Sequence, residues 1–340
     1  MIVEHLIADQ FGTHIGKYSE RLKITQDKTV LAQAPLMHLQ SVLVFSRGIS
    51  ISADALEACC ERGIPVFFIA GDGEHFASVY APGLVGTVFT RRAQLLSYYD
   101  QRGLSFALAL AEAKIHNQSA TLKYLAKTRA ETDPAAYEEL RLCAGEVLDT
   151  TAGLLRIGGE MVESVREQIM GIEGVAARRY WSAVGSILPP QYAWSGRIGR
   201  GATDPLNSLL NYGYGILYGL VEQAIILAGL DPYAGFLHAD RPGKPSLVLD
   251  LIEEFRQVAV DRPVFGLANR SYTVEQDDKG LLSKVTRRSF AQKILDHVGT
   301  DVRYEGKRYP IRFVIQNQAR NLAAFLRGDR DDYPAFKATW

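Results

Sequence analysis

The sequence predicts an α+β protein, with a small N-terminal β-sheet domain over residues 1–85 followed by a larger all-α domain over residues 86–340. Three observations carry this. Short β-branched runs separated by Gly, Pro, Asp and Ser crowd the first part of the chain, and runs of that length and alternation read as strands. Pro82-Gly83 then interrupts the pattern, as turn formers do at a boundary. From Arg91 onward apolar residues recur at helical spacing, which marks helices with one buried face.

In the first part, Leu22–Thr25, Val30–Leu36, Ser41–Phe45, Ile64–Ile69 and Phe76–Tyr80 read as strands. One helix is expected among them, Ser52–Arg62, with the Ser52 hydroxyl capping its first N–H groups and Gly63 ending it. In the second part, Leu95, Phe106, Leu110 and Ile115 mark one face of a long segment. Leu140–Arg156 and Glu160–Ile169 follow, with Gly158, Gly159 and Gly171 as breaks. Ala202–Ala228 contains a helix opening at Thr203-Asp204-Pro205, where Asp or Thr caps and Pro fits a first turn whose N–H has no helical partner. Ser246–Val260 and the amphipathic Pro310–Arg327 complete the helices. The chain shows no internal repeat, coiled-coil heptads or low-complexity tract.

Hydrophobic residues make up 47% and charged residues 22% of the 340, an ordinary globular balance that argues against disorder. No uncharged apolar run is long enough to span a membrane. The opening MIVEHLIADQ carries acids where a secretion signal carries a basic region, so a cytoplasmic protein is expected. Cys59, Cys60 and Cys143 form no CxxC pair and suit a reduced compartment better than a disulfide framework or a zinc knuckle. Lys plus Arg equals Asp plus Glu, 38 against 38, with 6 basic and 9 acidic residues in 1–90 and 32 and 29 in the remainder. Net charge therefore gives no support to nucleic-acid binding, and any DNA site must be a local patch or be completed by a second chain.

Three polar islands interrupt the helical part. In GIEGVAARRYW, residues 171–181, Glu173 is flanked by small residues that let a substrate or another backbone come close, with Arg178 and Arg179 following. A surface glutamate before a closely packed helix fits the same segment. GFLH ends at His238; a lone histidine on an apolar stretch is usually a core group satisfied by one hydrogen bond, and the alternative is a metal ligand or general base. The polar loop after it carries Arg241 and Lys244. In SLVLDLIEEFRQ, residues 246–257, a helix would place Asp250, Glu253, Glu254 and Gln257 on one stripe. That stripe is either a solvated acidic face or a pair of carboxylates one turn apart, which can hold a hard divalent cation. GRIGRG at 196–201 is not the dinucleotide fingerprint and reads as a basic loop with Arg197 and Arg200; Walker, HExxH and GxSxG motifs are absent.

Together and in this order, GIEGVAARRYW, DPLNSLLNYGYGILYG, GFLH, SLVLDLIEEFR and VDRPVF resemble the CRISPR adaptation integrases, the large subunits of the spacer-acquisition complex. ISADALEACCERGIPVFFI, RRAQ and YEGKRYPIRFVIQNQARNLAAFLRG extend the resemblance over nearly the whole chain. It implies a metal-dependent DNA endonuclease and integrase that joins short foreign DNA fragments into a repeat array by 3′-hydroxyl attack. Position by position, it makes Glu173, His238 and Glu253 the catalytic metal ligands, with Asp250 helping through a bound water. Where other members carry an aspartate as the last ligand, this chain has Glu253. Of Glu253 and Glu254, one should enter the site with Asp250, while the other pairs with a cation or reaches solvent. Oxygen ligands favour Mg²⁺ or Mn²⁺, and the single imidazole tilts the set toward Mn²⁺.

Arg178, Arg179, Arg197, Arg241, Lys244 and Arg256 are the candidates for contact with the DNA backbone, and one of Tyr212, Tyr214 and Tyr218 could stack on an unpaired base. The resemblance also implies double-stranded and branched DNA as substrates, a homodimer formed through the N-terminal domain, and a small ferredoxin-like companion subunit. Two other readings stay open at this point: a structure-specific nuclease or transposase-like relative outside a CRISPR locus, and a DNA-binding scaffold with a degenerate metal site.

Overall fold

The structure is a computed structural model, and it describes residues 4–45, 47–80 and 87–339. The expected boundary at Pro82-Gly83 lies outside the described residues. The elements confirm the α+β class: strands fill the N-terminal part, and the rest is mostly helical.

The N-terminal part contains β1 (His5–Ala8), β2 (His14–Tyr18), β3 (Arg21–Gln26), β4 (Thr29–Pro35), β5 (Ser41–Val44), β6 (Ser50–Ile51), α1 (Ala53–Glu61), β7 (Val66–Ile69) and β8 (His75–Val79). They form two four-stranded sheets, ordered β1-β5-β7-β8 and β4-β3-β2-β6. In the first, β1, β5 and β7 are parallel and β8 closes antiparallel on β7. β5 is buried along its whole length, as a parallel central strand must be. Ser52 caps α1 as expected, its Oγ accepting from Ala55 N. Leu6, Ile15, Leu22, Val42, Val66, Ala55 and Cys59 meet in one apolar core.

The helical part comprises α2 (Thr87–Ser97), α3 (Gln101–Lys127), α4 (Pro134–Asp149), α5 (Thr151–Leu154), α6 (Val162–Ser186), α7 (Pro205–Leu227), α8 (Ser246–Leu251), α9 (Arg262–Ala268), α10 (Lys284–Val298) and α11 (Ile311–Arg327). A hairpin, β9 (Asp301–Tyr304) with β10 (Lys307–Pro310), precedes α11. No helix among the described residues is long and apolar enough to cross a membrane.

By compactness the chain divides into two units. One comprises residues 1–83, 198–219 and 273–296, and the other residues 84–197, 220–272 and 297–340. Within the first unit, the ring of Tyr212 on α7 packs 5.1 Å from Phe45 and 6.4 Å from Phe290. Tyr212 and Tyr214 are buried. They belong to the packing, so neither offers a ring to a base.

Two helix expectations need correction. Gly171 does not break the chain: α6 runs through it and through Gly174. A Cβ at Gly171 would meet nothing within 4 Å, and at Gly174 only Arg178 Nη1 at 3.8 Å, so a strip beside Glu173 stays open. Ser246–Val260 is not one helix either. After α8 come a 3₁₀ turn at Ile252–Glu254 and a π turn at Gln257–Asp261, where Arg262 N donates to Gln257 O. Pro263 accounts for the π turn, because it has no N–H to give and its ring crowds the carbonyl four residues back.

Candidate active site

The site is built within the second unit, and its residues come from four elements. Glu173 stands on α6, His238 in the loop after α7, and Glu253 on the 3₁₀ turn after α8. The fourth residue is Lys114 on α3. Its ammonium pairs with Glu173 Oε1 and lies 2.7 Å from Glu253 Oε2. The three side chains are 13%, 14% and 6% exposed. Among the described residues no three His, Cys, Asp or Glu side chains form a ready-made cage for an ion. Two carboxylates around one ammonium stand there instead.

Glu253 is held from both sides. Its Oε1 accepts from Arg256 Nε at 2.9 Å. Its Oε2 is paired with the Lys114 ammonium at 2.7 Å. Burial pushes the Glu253 carboxyl up, but Arg256, Lys114 and His238 outweigh it and hold it at about 2. The group is therefore an anion at any working pH. Burial lowers Lys114 in turn, and the charges of Glu253 and Glu173 more than restore it, so it stays a cation.

His238 is set by Asp250. Oδ2 of this fully buried carboxylate accepts from Phe236 N at 2.6 Å and Leu237 N at 3.1 Å. Oδ1 accepts from His238 N at 2.8 Å and pairs with His238 Nδ1 at 2.8 Å. Assigning the ring proton to Nδ1 completes four donors on the four lone-pair positions of one carboxylate, and leaves Nε2 as the basic nitrogen. The loop can lie this close only because residue 235 is glycine: a Cβ there would come 2.7 Å from the Ser246 carbonyl carbon. Burial lowers the imidazole, and the hydrogen bond and charge of Asp250, with Glu253 and Glu173, raise it overall.

Glu254 neither pairs with a cation nor reaches solvent. It is completely buried and accepts from Tyr333 OH, from Gln318 Nε2 at 2.8 Å and from Phe336 N at 2.7 Å. Asn117 on α3 supports the same C-terminal segment, donating to Glu254 O at 2.9 Å and Phe336 O at 3.0 Å and accepting from Ala338 N at 2.7 Å. The acidic stripe is thus buried rather than solvated, and its three acids serve three separate partners.

The candidate DNA contacts fall in different settings. Arg178 is exposed on α6. Arg179 pairs with Glu146 at 3.3 Å. Arg241 and Lys244 are exposed at the two ends of one tight turn. Arg256 is committed to Glu253. Arg197 stacks over Trp181, its guanidinium carbon 5.8 Å from the ring centroid. Trp181 and Trp194, with ring centroids 5.7 Å apart, line a cavity of about 690 Å³ together with Arg178 and Arg197.

Sequence reasoning missed Lys114 and this tryptophan pair. The available signal for Lys114 was its helical spacing to Asn117, Gln118 and Thr121, a polar group that is buried on α3.

The family profile described as CRISPR associated protein Cas1 matches residues 6–295. The chain is 36% identical to the CRISPR-associated endonuclease Cas1 1 of Archaeoglobus fulgidus, covering 98% of this chain and 99% of that one. A casposase bound to its integration product has the same fold, with a TM-score of 0.81 at 23% identity over 98% of this chain and 95% of that chain. So does a Cas1 protein from Thermotoga maritima, with a TM-score of 0.78 at 19% identity over 98% and 100%. By its sequence along nearly its whole length, and by its fold, the chain belongs to the Cas1 family of CRISPR-associated proteins.

Proposed function

We propose that this chain is the catalytic subunit of CRISPR adaptation, a divalent-metal-dependent endonuclease and integrase that joins short DNA fragments into a repeat array. The observation that carries the reading is that Glu173 and Glu253 share one cation, in the field of an imidazole presented by Asp250. Two carboxylates that already share a cation, with a basic Nε2 beside them, fit Mg²⁺ or Mn²⁺. When bound, such an ion stabilises the charge that develops on a phosphodiester under attack by water or a 3′-hydroxyl.

The chain's own groups set the geometry. Glu173, Glu253 and His238 would be the ligands. Asp250, its acceptor positions filled, acts on the ring of His238 and not through a water. Arg256 keeps Glu253 in place. Arg178 and Arg197 would meet phosphates of a strand passing along α6, with Trp181 and Trp194 stacking on an unpaired base; Arg179, Arg241 and Lys244 extend the same basic contact. The zero net charge supports a DNA surface shared between chains: a homodimer through residues 1–85, and a small ferredoxin-like companion that tightens binding with its own basic surface. The test is incubation with branched DNA. Nicking or joining should require Mn²⁺ or Mg²⁺ and stop on chelation, and full activity in chelator would refute the reading.

A further inference from the structure

Lys114 has no part in the ligand set, yet its ammonium occupies the approach between two of the ligands. Three features make this more than a surface ion pair. The lysine and both glutamates are largely withdrawn from water. Glu253 Oε2 lies 2.7 Å from the lysine's ammonium, while Oε1 of the same carboxylate accepts from Arg256 at 2.9 Å. Lys114 sits on α3, whose neighbouring Asn117 is anchored to the Glu254 carbonyl, so the helix carrying the lysine is tied to the turn carrying Glu253.

We propose that Lys114 is a built-in cation that holds Glu173 and Glu253 together in the metal-free protein, and that a divalent ion binds by displacing it. This rests on the metal-dependent reading above and deepens it.

Two buried carboxylates that face each other repel unless a cation lies between them. Glu173 and Glu253 would hold a divalent ion through their carboxylate oxygens, in direct contact with it. The ammonium already lies against one oxygen of each, and two cations cannot share that space. Metal loading is therefore an exchange of one cation for another. The flexible four-carbon stem of lysine permits it, because the ammonium can leave without moving α3. The exchange keeps the ligands assembled before loading and weakens metal binding by the strength of the pair that must break.

The test uses Mn²⁺ alone, without DNA, on the full chain and on Lys114→Met, which keeps the stem and removes the charge. The proposal expects Lys114→Met to bind Mn²⁺ about tenfold or more tightly than wild type, read from the free-Mn²⁺ paramagnetic signal, because no buried pair has to break first. It also expects the variant to melt lower than wild type in chelator, and Mn²⁺ to raise its melting temperature by more than it raises that of wild type. A lysine with only a structural role would lower the melting temperature equally with and without Mn²⁺. Equal affinities together with equal Mn²⁺-induced shifts would overturn the proposal. If Lys114→Met does not accumulate as a folded protein, Lys114→Arg serves: a forked guanidinium that grips both carboxylates should weaken Mn²⁺ binding, and unchanged affinity would overturn the proposal. Absence of bound Mn²⁺ from wild type and variants alike would instead overturn the metal reading beneath it.

Discussion

His238 Nδ1 lies 2.8 Å from Asp250 Oδ1, and the backbone nitrogen of the same histidine lies 2.8 Å from the same oxygen. One carboxylate thus fixes both where the residue sits and which way its ring faces. Asp250→Asn would turn one acceptor into a donor facing donors. We expect the substitution to cost about 2–4 kcal/mol of stability by denaturant unfolding. Metal-supported nicking should fall by about 10–100-fold, the usual effect of losing the partner that orients a ligand. Wild-type stability together with wild-type nicking would show that the carboxylate does not position the ring.

Glu254 gives a pH-dependent prediction. Burial pushes its carboxyl up from 4.5 to about 7, against hydrogen bonds from Gln318, Tyr333 and Phe336 that act in the opposite direction. The folded state therefore favours the protonated acid. This stabilising contribution is fully present below pH 4.5 and is lost as pH rises through about 7. Glutamine suits the site, since its oxygen can take the two donors at Oε2 while its amide donates to the Tyr333 hydroxyl. Glu254→Gln should match wild type near pH 4 and exceed it by up to about 3 kcal/mol at pH 8. Denaturant unfolding in chelator at the two pH values checks this. A loss at pH 8 as large as that of Glu254→Ala would contradict it.

The tryptophan cavity predicts a selective binding defect. Trp194→Ala should weaken binding of a duplex with a single-stranded overhang by about 1–3 kcal/mol, the worth of one stacked base, and leave a blunt duplex unaffected. Fluorescence anisotropy with the two substrates separates the cases. Equal weakening of both would assign the ring to packing against Trp181.

Much of this arrangement was legible in the sequence, and the reasons for the misses are local. Ser41–Val44 and α1 announced themselves through a β-branched run and a serine cap. β2 was hidden because Gly16 dilutes its pattern, and β1 because its three buried residues follow one another without alternation. The acid segment was readable as a site but not in phase. A stripe drawn at about 100° per residue assumes an unbroken α-helix, whereas α8 ends at Leu251 and Ile252–Glu254 winds as a 3₁₀ turn. Asp250, Glu253 and Glu254 consequently turn toward the His238 loop, Lys114 and the C-terminal segment respectively. Lys114 could not be paired from sequence, since its nearer acid lies 59 residues away along the chain.

If Glu173, His238 and Glu253 act together on a divalent ion, loss of the imidazole alone should stop the chemistry. Joining of a labelled DNA fragment to a branched target in Mn²⁺ by His238→Ala, with DNA affinity measured in parallel, decides this. Joining should disappear while affinity stays within about threefold of wild type, because phosphate contacts dominate binding. Full joining by His238→Ala would rule out His238 as a metal ligand.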